Sequence, residues 1–249
     1  MGQKRRSKWA ISSGVISIIA VLLLLFSGYG YQWEWWSLGT AFKFLIPASA
    51  LLAIFGLALA VIFAFAGKHK RRKGMAVTGA ILSILVMVFI SYWFIRGQQA
   101  PPIHDITTDI ENPPHFVEIV ALRTEAPNSV EYEGAEIATI QKEFYPKIQT
   151  LYLDIPYPRA FKRALSAALK MPWEGIVSYS KETGVIEATD ELAWFGFKDD
   201  IVIRVDTAQT RGQSKIDVRS VSRIGRGDMG VNAERIREYL QVVKGSQEE

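Results

Sequence analysis

Apolar positions gather in three long blocks near the start of the chain and then change character. Trp9 to Phe26, Phe42 to Ala66 and Met75 to Ile95 hold a single charge among them, Lys43. Each is long enough, at roughly 1.5 Å per residue, to cross a hydrocarbon core as a helix. Lys43 and Pro47 both lie near the start of the second block, where a lysine reaches back to the interface and a proline costs little. Residues 97–114 break the pattern with Gly97, Pro101, Pro102, Pro113 and Pro114, the chemistry of a linker and extended segment. Beyond it the period alternates between helix and strand. Tyr157 to Lys170 places Phe161, Ala164, Leu165, Ala168 and Leu169 on one helical stripe, with Pro158 in the first turn. Gly175 to Ser180, Gly184 to Asp190, Asp200 to Thr207 and Lys215 to Arg223 read as strands joined by short turns, and Ala233 to Val243 as a helix capped by Asn232. The expectation is an α+β protein: three transmembrane helices, then an antiparallel sheet over 115–249 with helices packed on one face.

Charge divides the chain at the same place. Residues 1–96 carry 11 Lys/Arg and one acid, Glu34, whereas residues 97–249 carry 18 Lys/Arg and 24 Asp/Glu. The basic residues flank apolar blocks and the rest is acidic, so the overall basicity does not indicate nucleic acid. Lys4, Arg5, Arg6 and Lys8 precede the first block, and Lys68, Lys70, Arg71, Arg72 and Lys73 separate the second from the third. The positive-inside rule therefore expects a cytoplasmic N-terminus and a C-terminal domain on the other side of the membrane. Tyr29, Tyr31, Trp33, Trp35 and Trp36 would form the outer interfacial belt, met by Tyr92 and Trp93. A cleaved signal peptide is the rival reading of the first block, but no A-x-A-like site follows, and its removal would leave the domain on the same side. Gly56, Ala60 and Ala64, four residues apart, suit close packing within the bundle. There is no cysteine, which excludes disulfides and thiolate chemistry.

Three runs carry a family resemblance. Ile103-His104-Asp105-Ile106-Thr107-Thr108-Asp109 with Pro113 and Pro114, Ile186-Glu187-Ala188-Thr189-Asp190 leading to Trp194-Phe195-Gly196-Phe197-Lys198-Asp199-Asp200, and Asp217 to Arg223 leading to Asn232-Ala233-Glu234-Arg235-Ile236-Arg237 stand in this order. Over about residues 100–243 the chain resembles the bacterial domain of unknown function 1499 family. The resemblance implies a bacterial envelope location, with the chain in the inner membrane and its C-terminal domain in the periplasm, and no established activity.

Candidate chemistry is sparse. Gly225, Gly227 and Gly230 spell G-x-G-x-x-G, yet no parallel strand follows to complete a dinucleotide fold. The same loop feeds a helix N-terminus, and Arg223, Gly225, Arg226, Gly227, Asp228 and Asn232 form a candidate site for a phosphate, carboxylate or anionic lipid headgroup. The alternative is that Asp228 or Asn232 satisfies those donors and the arginines pair with acids on the sheet. Glu187, Arg204 and Arg219 are expected on one sheet face, as cross-strand ion pairs on a solvated surface. His104, Asp105, Asp109 and His115 match no compact metal motif, and turn capping is the plainer role. No G-x-S-x-G, H-E-x-x-H or P-loop occurs, and Ser220 and Ser222 read as strand residues. No cofactor is expected. These observations favour a membrane-anchored binding or scaffold module contacting the lipid bilayer and an envelope protein or anionic lipid. The alternative is a hydrolase-like envelope enzyme acting on an anionic substrate, for which a deep pocket uniting Asp190, Asp228 and Arg223 would speak.

Overall fold

A computed structural model describes residues 2–65 and 73–245. Lys68, Lys70, Arg71 and Arg72, on which the expected orientation partly rests, lie outside the described residues, as does Ala66. The chain divides into two compact units, one of helices and one of mixed structure.

Three helices make up the first unit: α1 Gly2–Gln32, α2 Leu38–Phe65 and α3 Lys73–Gln99, all long and apolar enough to cross a membrane. Small residues bring them together. A Cβ added at Gly79 would lie 2.4 Å from Ser13 Oγ, and one at Gly56 would lie 2.4 Å from Ser17 Oγ. Ser13 donates to the Gly56 carbonyl, and the Ser17 and Ser83 hydroxyls lie 2.9 Å apart. Such serine bonds hold helices together where no water competes for them. Gly56 and Ala60 are buried as expected, whereas Ala64 is exposed. Helix α1 runs beyond Phe26 because its glycines serve as notches rather than breakers. A Cβ at Gly30 would strike Trp36, and one at Gly28 would strike Trp194. In α2 the turn over Ala41–Leu45 is a wide π turn immediately before Pro47, a usual adjustment near a missing N–H.

The second unit is α+β. Its strands are β1 Asp105–Thr107, β2 Leu151–Leu153, β3 Gly175–Ser180, β4 Val185–Leu192, β5 Phe197–Thr207 and β6 Ser214–Ser222. They form one antiparallel sheet in the order β1-β6-β5-β4-β3, with β2 also pairing β6. The expected extended segment thus supplies β1. Helices α4 Ala135–Phe144, α5 Tyr157–Lys170 and α6 Val231–Gly245 complete the unit. The main core joins Ile186, Ile201, Ile203 and Val218 from the sheet to Phe161 and Ala164 of α5 and Ile236 and Tyr239 of α6. Each large apolar side chain buried there contributes about 1.5–3 kcal/mol. Leu165 is partly buried against this core, but Leu169, expected on the α5 stripe, is 66% exposed at the penultimate position of the helix.

The other face of the sheet is covered as well. Residues 109–134, mostly irregular with one tight turn at Ile119–Arg123, lie over it and bury Phe116 and Ile119 against Val202 and Val221. Residues 193–196, the turn between β4 and β5, group with the helices of the first unit. There Trp194 donates its indole N–H to the Leu25 carbonyl at 3.0 Å, and Gln32 donates to the Ala193 carbonyl.

Candidate functional site

The strand period places Glu187, Arg204 and Arg219 on one face, as the sequence suggested. The face is not solvated. Glu187 is 0% and Arg219 1% exposed, because the 109–134 segment covers them. Nor do the three pair with one another. Glu187 accepts backbone N–H bonds from Val117 and Glu118 at 2.6 and 2.8 Å and a hydroxyl bond from Ser178 at 2.9 Å. Arg219 forks onto Asp105 at 3.0 and 2.7 Å, donates to the Pro114 and Val130 carbonyls, and lies between the rings of Phe116 and Tyr132. Arg204 binds Asp217 and Asp109 and donates to the Asn112 carbonyl. The charges under the segment therefore serve its backbone, which lacks a helix or ladder of its own.

Asp200 is a second hub. Its buried carboxylate accepts from Arg123, Arg223 and Thr189. Hydrogen bonds to Asp200 hold Arg223 above the usual guanidinium range, whereas burial lowers Arg123 despite the same partner. Burial also pushes Asp105 above the ordinary carboxylate range, outweighing the hydrogen bond and charge of Arg219.

A third set joins α6 to the sheet. Asn232 Oδ1 accepts from Ser220 and from Arg235, both at 2.6 Å, and its Nδ2 donates to the His104 carbonyl and Ser222. Arg235 reaches Asp190 and Asp199 at 2.7 and 2.8 Å. Ser220 and Ser222 are accordingly buried strand residues in a polar network.

The candidate anion loop is built as follows. Arg223 is held by Asp200, as above. Gly225 and Gly230 take positive φ values of 102° and 80°, which only glycine adopts freely. Gly227 lies against the backbone of Pro101 and Pro102. Asp228, not Asn232, caps α6, accepting from Gly230 N–H at 2.8 Å and Asn232 N–H at 2.7 Å. Asn232, the cap expected from its position, turns its side chain inward to the network instead. Burial pushes Asp228 above the ordinary carboxylate range, against the two backbone bonds that pull it down. Arg226 is exposed. The loop thus directs its helix N-terminal donors to its own aspartate, and Asp190, Asp228 and Arg223 each serve different partners.

The four metal-type residues of the 103–115 segment also diverge. Asp105 belongs to Arg219, and Asp109 caps a turn through Glu111 and Asn112 N–H groups. His104 lies 3.8 Å from Glu133. Among the described residues no three His, Asp or Glu side chains gather as metal ligands would.

The residues that order this unit were mostly invisible as partners in the sequence. Asp105 and Arg219 are 114 positions apart, and Glu187 meets Val117 across 70. Their only local signal is a charge at an inward position of a strand.

The second unit is therefore an α+β domain with a helix-covered face and a segment-covered face, the latter closed by buried ion pairs. It is carried by a chain with three helices capable of spanning a membrane. A family model described as a protein of unknown function (DUF1499) matches residues 105–243, more than half of the 249, and the chain belongs to that family. No curated protein and no solved structure matches the chain.

Proposed function

We propose that the protein is a membrane-anchored binding or scaffold module. Its three helices hold it in a bacterial inner membrane with the N-terminus cytoplasmic, and its α+β domain contacts an envelope component or a membrane partner from the periplasmic side. The observation that carries this reading is the division of labour among side chains in that domain. The charged residues that an active site would need accessible are engaged internally, at Asp190 with Arg235, at Asp200 with Arg223 and at Asp105 with Arg219. Apolar residues of the covering segment instead face outward: Val117, Val120 and Leu122 are 60, 44 and 55% exposed. Exposed apolar side chains this close together in the chain suit protein contact.

The test is cross-linking followed by gentle solubilisation of the full chain and of a Val117→Asp/Leu122→Asp variant. A specific protein recovered with the wild type and lost from the variant is expected. Recovery unchanged by the variant counts against the reading. Orientation is tested by a periplasm-dependent reporter fused at Glu249, expected active, and one fused after Lys70, expected inactive.

A further inference from the structure

The turn between β4 and β5 packs with the helices of the first unit. Its tip, Ala193-Trp194-Phe195-Gly196, carries no charge, and the nearest charges in the chain, Glu191 and Lys198, pair with each other across the hairpin at 3.0 Å. Trp194 packs against a cluster to which all three helices contribute, Ala20 and Leu24 of α1, Ala53 of α2 and Val86 of α3. Phe195 is 5% exposed, with the rings of Tyr31 and Phe42 at 6.1 and 5.2 Å. We propose that this tip is a fourth membrane-inserted element, a re-entrant turn seated among the helices below the level at which their apolar blocks end. The conclusion rests on the membrane-spanning reading of those helices.

The depth follows from what the tip touches. Phe89, which meets the Trp194 ring edge-on at 5.2 Å, stands about 9 Å of helix before Ile95, where the third apolar block gives way to Arg96. Leu25, whose carbonyl accepts the indole N–H at 3.0 Å, lies within the first block. An indole at that depth has no water to bond, so its N–H needs a protein acceptor. Backbone outside a helix is likewise tolerated there only where protein covers it and takes up its polar groups. Leu25 supplies the acceptor, and Gln32 donates to the Ala193 carbonyl at 3.1 Å. Helix α1 also makes the room. A Cβ at Gly28 would lie 2.4 Å from the Trp194 ring and 2.5 Å from the Trp194 carbonyl oxygen, so the notch admits both ring and backbone. Gly196 turns the chain at a φ of 65° against the side chain of Gln32. A turn resting at the water level would need no such notch, and its indole would have water for a partner.

The experiment uses the full chain in phosphatidylethanolamine–phosphatidylglycerol bilayers. Resistance to carbonate extraction is scored first in vesicles, and loss of the protein from them would defeat the spanning reading and the insertion with it. With the protein retained, the chain is labelled with 5-fluorotryptophan and placed in nanodiscs of the same lipids, and Trp194→Phe identifies the Trp194 fluorine resonance. That resonance is expected to broaden several-fold more with a lipid carrying a mid-chain nitroxide than with an aqueous gadolinium chelate. The reverse ratio overturns the proposal while leaving the anchoring intact. A second measurement tests the seat. Gln32→Cys with Ala193→Cys, in a chain that has no other cysteine, is expected to form a disulfide on mild oxidation. Gly28→Leu, which fills the notch, is expected to cut its yield about tenfold, equivalent to ~1.4 kcal/mol of seating. Absence of the disulfide, or a yield unchanged by Gly28→Leu, likewise overturns the proposal.

Discussion

Arg219 carries an unusual share of the α+β unit, since one side chain joins Asp105, two backbone carbonyls and two aromatic rings. Removing it strands a buried carboxylate. Arg219→Ala is therefore expected to destabilise the domain by about 3–5 kcal/mol, whereas Arg219→Met with Asp105→Leu recovers most of that loss, because a buried pair is replaced more cheaply than halved. Thermal unfolding in detergent, followed through Trp173 and Tyr239, checks both. Asp228 supports a prediction in pH. Its folded-state pKa lies above the unfolded value near 3.8, so the folded state holds the proton longer. The stability it contributes is full below that value and is lost as pH rises through the folded pKa. Asp228→Asn cannot titrate, so its stability relative to wild type should improve as pH rises through that window and stay level above it. A gap that widens with pH would contradict the sign. The role of Arg219 was not legible in the sequence, and that of Asp228 only as one of two alternatives. A strand arginine looks alike on a solvated and on a covered face, and Asn232 was as good a cap by position as Asp228.

The covering segment behaves as an element although it has almost no regular structure. Its backbone donors end on Glu187, so Glu187→Gln, which turns an amide toward those N–H groups, removes a charge-assisted bond worth about 1.5–3 kcal/mol. Amide exchange at Val117 and Glu118 is expected to rise ten- to a hundredfold, with Ile201 and Ile203 unchanged, as measured by hydrogen exchange. A uniform rise across β5 would mean that the segment opens only with the whole domain. Among the helices, contact at small residues is the organising feature. The chain has no cysteine, so Ser17→Cys with Ser83→Cys provides a clean pair, and oxidation is expected to join them. Gly56→Leu, which drives a side chain into Ser17 and Ser83, should abolish that disulfide. Regular elements were the most legible part of this scale. Tyr157–Lys170 and Gly175–Ser180 agree with their periodicity to the residue, while the 109–134 segment has no period to read because its bonds run to side chains far away.

At the scale of the molecule, the division into two units has one exception, the turn at residues 193–196 that belongs with the helices. A fragment of residues 96–249 keeps the sheet and both of its covers and is expected to fold cooperatively. It also leaves Trp194 and Phe195 without the neighbours they have in the full chain, among them Phe42 and Phe89. The fragment should self-associate in sedimentation, and Trp194→Ser with Phe195→Ser should return it to a monomer with unchanged thermal stability.

Sequence alone determined the three apolar helices, the antiparallel order of β3 to β6 and the presence of α6, because each depends on a pattern read within a few residues. It also carried the family, through motifs that stay in order. Tertiary structure decided which charges are buried, that both faces of the sheet are covered, and that Asp228 rather than Asn232 caps α6. The buried charges depend on partners distant in the chain, 70 residues away at Glu187–Val117 and 114 at Arg219–Asp105. Burial of a charge is favourable only once such a partner has arrived, and no local pattern announces its arrival.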